Sequence, residues 1–209
     1  QPGHQNEGST WLDSVEHVVF RNISFTGEEL ENAIIGGSVL NGDNDDNLMF
    51  LNSSGTKNSD GLHEANGYGG NDRIFGSTQD DELNGGSGDD ILLPGLGDDV
   101  ANGDEGIDTY QILDGPSNAT ARIDLIAGTV FGPEGRDNLS GIENLIIQSG
   151  GNHSLSGDDG DNNLFSARGD DIVAGRGGDD LINTGAGRDF VITGAGKDAV
   201  LTGAHNDFI

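Results

Sequence analysis

Cysteine is absent from the 209-residue chain, which excludes disulfides, thiolate metal centres and a thiol nucleophile. Positive charge is scarce: nine Lys and Arg stand against 37 Asp and Glu, for a formal net charge of −28. Such a chain repels polyanions, so neither nucleic acid nor an anionic membrane surface is an expected partner. No apolar run reaches membrane-spanning length, so no membrane insertion by this segment is expected. Hydrophobic residues make up only 32% and aromatics 5% of the chain. Low apolar content with high like charge lies close to the disordered class, because burial offsets the ordering entropy poorly. Folding therefore calls for an added source of positive charge. The length fits one large domain or two small ones. The chain opens at Gln1 with no visible leader and reads as a piece of a longer protein.

Glycine is abundant, at 37 positions, and it is phased. Five successive nonapeptides run GYGGNDRIF (67–75), GSTQDDELN (76–84), GGSGDDILL (85–93), PGLGDDVAN (94–102) and GDEGIDTYQ (103–111). Their sixth residues are Asp72, Asp81, Asp90, Asp99 and Asp108, and their eighth are Ile74, Leu83, Leu92, Ala101 and Tyr110. A second series, SARGDDIVA (166–174), GRGGDDLIN (175–183), TGAGRDFVI (184–192), TGAGKDAVL (193–201) and TGAHNDFI (202–209), follows the same rule. Its sixth residues are Asp171, Asp180, Asp189, Asp198 and Asp207; its eighth are Val173, Ile182, Val191, Val200 and Ile209. Disorder requires no such register. The pattern resembles the RTX, or hemolysin-type, calcium-binding nonapeptide family, G-G-x-G-x-D-x-U-x, a parallel β-helix repeat. The resemblance covers most of 41–111 and 148–209.

The residue chemistry supports the same picture. Glycine early in each repeat allows tight turns with carbonyls turned to one side, and the Asp after the turn adds a hard carboxylate oxygen. Oxygen donors without sulfur or imidazole at matching positions suit Ca²⁺ better than Mg²⁺, which demands stricter geometry. The three residues after the Asp form a short strand with the eighth position inward. Two repeats make one coil, so Asp72, Asp90 and Asp108 stack in one column and Asp81 and Asp99 in the other. Likewise Asp171, Asp189 and Asp207 stack, as do Asp180 and Asp198. Carboxylates stacked at about 4.8 Å repel unless a cation lies between them. The resemblance implies that each Ca²⁺ bridges two turns of a column through both Asp side chains and glycine-region carbonyls. Those glycines are Gly67, Gly70, Gly85, Gly86, Gly88, Gly95, Gly97, Gly103 and Gly106 in the first array. In the second they are Gly169, Gly175, Gly178, Gly185, Gly187, Gly194, Gly196 and Gly203. About six well-formed sites are expected, in the extracellular affinity class.

Upstream turns are degraded. NGDNDDNLM (41–49) places Asp46 and Leu48 in phase, and GTKNSDGLH (55–63) places Asp60 and Leu62. Asn162 and His153 stand where Asp belongs at the start of the second array, so weak or empty sites are expected there. Residues 112–147 lack the repeat, and "ARIDLIAGTV" and "LSGIENLIIQ" read as strands. "DSVEHVVF" (13–20) is similar to "SGIENLII" (140–147), which suggests two diverged tandem units. The expected fold is all-β, a right-handed parallel β-roll (a β-helix or solenoid) in two arrays with non-repetitive capping or bridging strands. Its parts are an N-terminal cap at 1–40, a first array at 41–111, bridging strands at 112–147 and a second array at 148–209. That second array stops in mid-repeat, which suggests truncation.

Catalytic motifs are missing. "HEANG" (63–67) begins like HExxH but ends in Gly67, and no G-x-S-x-G elbow occurs. Acidic pairs such as Asp89–Asp90 fall on the repeat register and read as structural, not glycosidic. Trp11 and Tyr68 read as packing residues. The expected function is non-enzymatic: a calcium-binding structural module, flanked by other domains of a type I-secreted bacterial protein, that folds on meeting Ca²⁺ outside the cell. The alternative is an adhesin or a carbohydrate- or protein-binding module, or a non-catalytic appendage of a secreted protease, lipase or polysaccharide-modifying enzyme. An aromatic or basic stripe on one sheet face would favour a binding module. Arg168, Arg176, Arg188 and Lys197 share no single repeat position and make a weak stripe.

Overall fold

The computed structural model describes residues 17–20, 23–26, 33–36, 39–51, 62–113, 120–132 and 134–209. Trp11 and Asp60 lie outside them. A separate antiparallel hairpin, β1 (His17–Phe20) and β2 (Ile23–Thr26), comes first. The remaining strands build two long sheets, between which the chain alternates.

The first sheet has nine strands, in order β3 (Ala33–Gly36), β5 (Leu48–Leu51), β7 (Arg73–Phe75), β9 (Ile91–Leu93), β11 (Thr109–Ile112), β15 (Asn144–Ile147), β17 (Asn163–Phe165), β19 (Leu181–Asn183) and β21 (Ala199–Leu201). The second has ten, in order β4 (Val39–Asn41), β6 (His63–Gly69), β8 (Asp81–Ser87), β10 (Val100–Glu105), β14 (Arg136–Ser140), β13 (Thr129–Phe131), β12 (Arg122–Asp124), β16 (Ser154–Ser156), β18 (Ile172–Gly177) and β20 (Phe190–Ala195). Pairing within both sheets is parallel, as in β9 with β11, except around β13, which runs antiparallel to both neighbours.

The nine-residue phase explains this architecture. Three residues after each turn suffice for one short strand, and the next repeat returns on the opposite side. Strands two repeats apart then pair, as Leu92 with Ile74 and Val173 with Val191. The middle residue of each strand faces the partner sheet. Ile74, Leu83, Leu92, Ala101, Leu145, Leu164, Val173 and Ile182 are fully buried, making a core one residue wide. Two eighth positions fall short of the expectation: Val200 is only partly buried, and Ile209 is 67% exposed.

The bridging segment continues the roll by a reversed excursion. From β11 the chain runs ahead to β12, turns back through β13 and reaches β14 beside β10. Residues Ile112, Ala121, Ile123, Val130, Leu139, Ile142 and Ile147 fill this stretch and join its core to that of the arrays. Among the described residues β1 pairs with β2, whereas β15 lies within the first sheet.

Candidate metal centre

The sixth-position aspartates sit at the entrances of their strands, and all but Asp81, above which the His63 N–H turns to the Asp80 carbonyl, accept an N–H from the preceding coil. Asp72 donates its backbone N–H to Asp90 Oδ1 at 2.7 Å, and Asp90 donates to Asp108 Oδ1 at 2.8 Å, each 18 residues apart. The same link joins Asp81 to Asp99, Asp171 to Asp189, Asp180 to Asp198, and Asp189 to Asp207, at 2.8–3.1 Å. All ten aspartates singled out in the two series therefore stand in columns as the spacing requires. Asn162 and His153 occupy rungs as well, giving their N–H groups to Asp180 and Asp171.

A second ladder runs in the opposite direction through the fifth positions. Asp89 Oδ1 accepts the N–H of Ile107, Asp170 that of Arg188 and Asp179 that of Lys197, each one coil further on. This ladder is exposed and corrects one assignment. Asp46 belongs to it, accepting the N–H of Asn71. The rung above Asp72 is instead Asn47, whose N–H donates to Asp72 Oδ1 at 2.7 Å. The inward residue of that coil is accordingly Met49, fully buried, and not Leu48. In the following turn the inward residue is Ala65 rather than Leu62.

What remains on the rungs is diagnostic. The second oxygens of Asp72, Asp90, Asp99, Asp108 and Asp180 are buried and have no hydrogen-bond partner. Several of these oxygens lie over the glycine that opens their own turn. A methyl on Gly67 would overlap both Asp72 Oδ2 and the carbonyl oxygen of Gly85; one on Gly175 would overlap Asp180 Oδ2 and the carbonyl of Thr193. Carboxylate and carbonyl oxygens thus converge on one spot with no donor between them. Positive φ at Gly86 (110°) and Gly88 (129°) turns the backbone through this narrow space, a conformation that a side chain would strain.

Electrostatics agrees. Burial raises the Asp72 carboxyl to about 6, Asp108 to about 7 and Asp99 to about 8, with neighbouring carboxylates adding to the rise and backbone N–H donors opposing it. Burial also raises Asp90, Asp171 and Asp180. A buried acid with an unpaired oxygen is unfavourable by about 1–3 kcal/mol or more, and a cation removes both the charge and the vacancy. Hard oxygens of this kind are the donor set of Ca²⁺.

Not every rung is left open. Asp171 Oδ2 accepts the Ser166 hydroxyl at 2.8 Å, and Asp189 Oδ2 the Thr184 hydroxyl at 2.6 Å. Ser and Thr open those repeats where Gly or Pro opens the orphaned ones. Asp137 closes the first part of the second-sheet column: one oxygen accepts the N–H of Asp99 at 3.1 Å, the other the buried Tyr110 hydroxyl. Glu143 does the same in the first sheet, accepting the N–H of Asp108 at 2.8 Å. The nonapeptide pattern gave no sign of Asp137 or Glu143, which lie 38 and 35 residues from their partners.

Of the four basic residues, Arg176 pairs with Asp124 at 3.2 Å, while the backbones of Arg188 and Lys197 serve the fifth-position ladder. Tyr68 is 56% exposed and donates to Asn41 Oδ1 at 3.1 Å. The model of the RTX calcium-binding nonapeptide repeat matches the chain in four copies, at residues 66–101, 149–182, 156–191 and 174–209. No curated protein matches the chain.

Proposed function

Because this chain belongs, through residues 66–101 and 149–209, to the RTX calcium-binding nonapeptide repeat family, we propose that it is a structural module that folds on calcium as part of a type I-secreted bacterial protein. The orphaned second oxygens of Asp72, Asp90, Asp99, Asp108 and Asp180 carry this reading. Calcium would supply the positive charge that the columns lack. Six rung pairs are the proposed sites: 72/90, 81/99, 90/108, 171/189, 180/198 and 189/207. In each, the two carboxylates and carbonyls of the turn hold the ion and tie one coil to the next, calcium displacing the Ser166 and Thr184 hydroxyls from Asp171 and Asp189. Asp60 and the degraded turns lie outside this set.

The proposed action is a switch. With little calcium in the cytosol, a chain of net charge −28 stays open by self-repulsion, a state that suits export. Outside the cell the columns fill and the narrow core closes, so that binding energy becomes folding energy. The role assigns no residue to catalysis. The test is far-UV circular dichroism with metal counting: a largely disordered spectrum in EDTA, β-structure in millimolar calcium, and about six ions bound. A cooperative β-spectrum in excess chelator would overturn it.

One observation favours an added binding role. Ile172, Phe190 and Phe208 line up across neighbouring strands of the second sheet, 40–65% exposed, beside Ile192. The Phe190 and Phe208 rings stack at 5.1 Å, forming an exposed aromatic pair. A polysaccharide array probed with the wild type and with Phe190→Ser/Phe208→Ser tests this reading; equal signals would reject it.

A further inference from the structure

The head of the second-sheet column has a different donor. The residue paired with Asp81 from the preceding coil is His63. Its side chain is 1% exposed, and its Nδ1 has no hydrogen-bond partner. That nitrogen stands 3.4 Å from Oδ1 of Asp81, itself fully buried. The Ser77 hydroxyl donates to the same oxygen at 3.2 Å.

These distances fit a shared ion better than a direct contact. Two ligands at about 2.0–2.1 Å from a tetrahedral centre stand about 3.4 Å apart, close to the observed separation and longer than most N–H···O bonds. A neutral imidazole nitrogen suits zinc and its neighbours, whereas calcium takes oxygen. His153 supplies an internal contrast. It holds the equivalent rung above Asp171, but its Nδ1 accepts the N–H of Ala121 at 3.1 Å and its Nε2 lies 3.3 Å from the Ser149 carbonyl. Both nitrogens of that ring are engaged, and His63 Nδ1 is not.

We propose that His63 Nδ1 and Asp81 Oδ1, with the Ser77 hydroxyl as third donor, form a site for a divalent transition ion of the zinc class. The inference rests on the calcium reading for the rest of the column and differs from it in donor chemistry. The site anchors β6 to β8 at the point where the regular array begins.

The full chain loaded with ¹¹³Cd²⁺ tests this by NMR, because nitrogen ligation moves the cadmium resonance downfield of oxygen-only sites. The expected spectrum has a group of oxygen-only resonances and one displaced resonance. His63→Gln should remove the displaced one alone, and His153→Gln should leave it. Zinc titration in saturating calcium should show one site, weakened at least tenfold by His63→Gln. Should that variant fail to fold, wild-type protein with ¹⁵N-labelled histidine gives a direct reading, as cadmium–nitrogen coupling to the His63 ring. Oxygen-only resonances with no displaced signal, or a displaced signal that survives His63→Gln, would overturn this site and leave the calcium reading intact. A displaced signal without the oxygen-only group would overturn the calcium reading instead.

Discussion

Asp90 gives one carboxylate oxygen to the backbone N–H of Asp72, 2.7 Å away, and keeps the other buried without a partner. One side chain thus separates two functions. The first oxygen sets the register of neighbouring coils, and the second leaves a charge that the polypeptide does not neutralise.

The two functions respond differently to Asp90→Asn. The amide retains the acceptor for Asp72 and removes the charge, and its NH₂ can donate to the nearby Gly103 carbonyl. The variant should fold at least as well as wild type in chelator yet lose about two of the bound ions, with a calcium midpoint roughly tenfold higher, since affinity follows ligand charge. Asn162→Ala behaves in the opposite way. It removes the acceptor for the Asp158 N–H and the donor to the Glu143 carbonyl, costing about 1–2 kcal/mol with the ion count unchanged. Equilibrium dialysis with urea titration separates the outcomes; equal calcium midpoints for the two variants would contradict the assigned rungs.

Gly85→Ala should be far worse than Gly132→Ala. A methyl at Gly85 overlaps the orphaned Asp90 oxygen, whereas one at Gly132 meets nothing nearer than the Ala121 methyl, at 3.7 Å. The first variant should displace the carboxylate and raise the calcium midpoint; the second should be within about 0.5 kcal/mol of wild type. Calcium-dependent circular dichroism of both proteins reads the contrast.

Thr184→Val probes the rungs already satisfied by a hydroxyl. It keeps the shape of the side chain and removes the donor to Asp189 Oδ2. The loss should be about 1–3 kcal/mol at low calcium and should shrink as calcium is raised, because the freed oxygen becomes a ligand. A destabilisation independent of calcium concentration would show that the hydroxyl does not substitute for the ion.

Acidity should mimic calcium in part. The Asp72, Asp108 and Asp99 carboxyls lie at about 6, about 7 and about 8, above their ordinary 3.8, chiefly through burial. A raised folded-state value means that the calcium-free fold holds these protons more tightly than the open chain. The resulting stability is fully present below about pH 4 and disappears as pH rises through the folded values toward about 8. In chelator, β-content should therefore increase on moving from about pH 8 to about pH 5. Calcium has to displace the same protons, so its midpoint should rise as pH falls through this range. Calorimetry in buffers of different ionisation heat measures the protons released; none released would contradict the raised values.

Much of this was legible because a nine-residue phase fixes backbone register and side-chain direction together. The rungs from Asp72 to Asp108 and from Asp171 to Asp207 needed nothing more. In the turn at 42–48 the nine-residue phase falls one residue short of the rung, because Asp45, Asp46 and Asn47 offer competing oxygens. The useful signal was the glycine: a rung stands five residues after the glycine that opens its turn, as Asp72 follows Gly67 and Asp90 follows Gly85, and Asn47 follows Gly42 in the same way. Asp137 and Glu143 left no comparable trace, because the reversed excursion through β12–β14 breaks the spacing that would have marked them. The division between open and hydroxyl-satisfied rungs was present in Ser166 and Thr184, but it becomes meaningful only once those side chains are seen to reach Asp171 and Asp189.

Because strands pair with the coil above and below, their hydrogen bonds run along the long axis of the roll. A load that draws its two ends apart would peel coils in turn instead of shearing a whole sheet. Each 18-residue coil would release about 55–60 Å of chain, from roughly 3.4 Å per extended residue less about 4.8 Å of stacked height. The stretch between Asp99 and Asp137, 38 residues from rung to rung, would give way as one longer step. With the proposed ions clamping successive coils, such a roll would act as an extensible tether whose yield force depends on the calcium concentration around it.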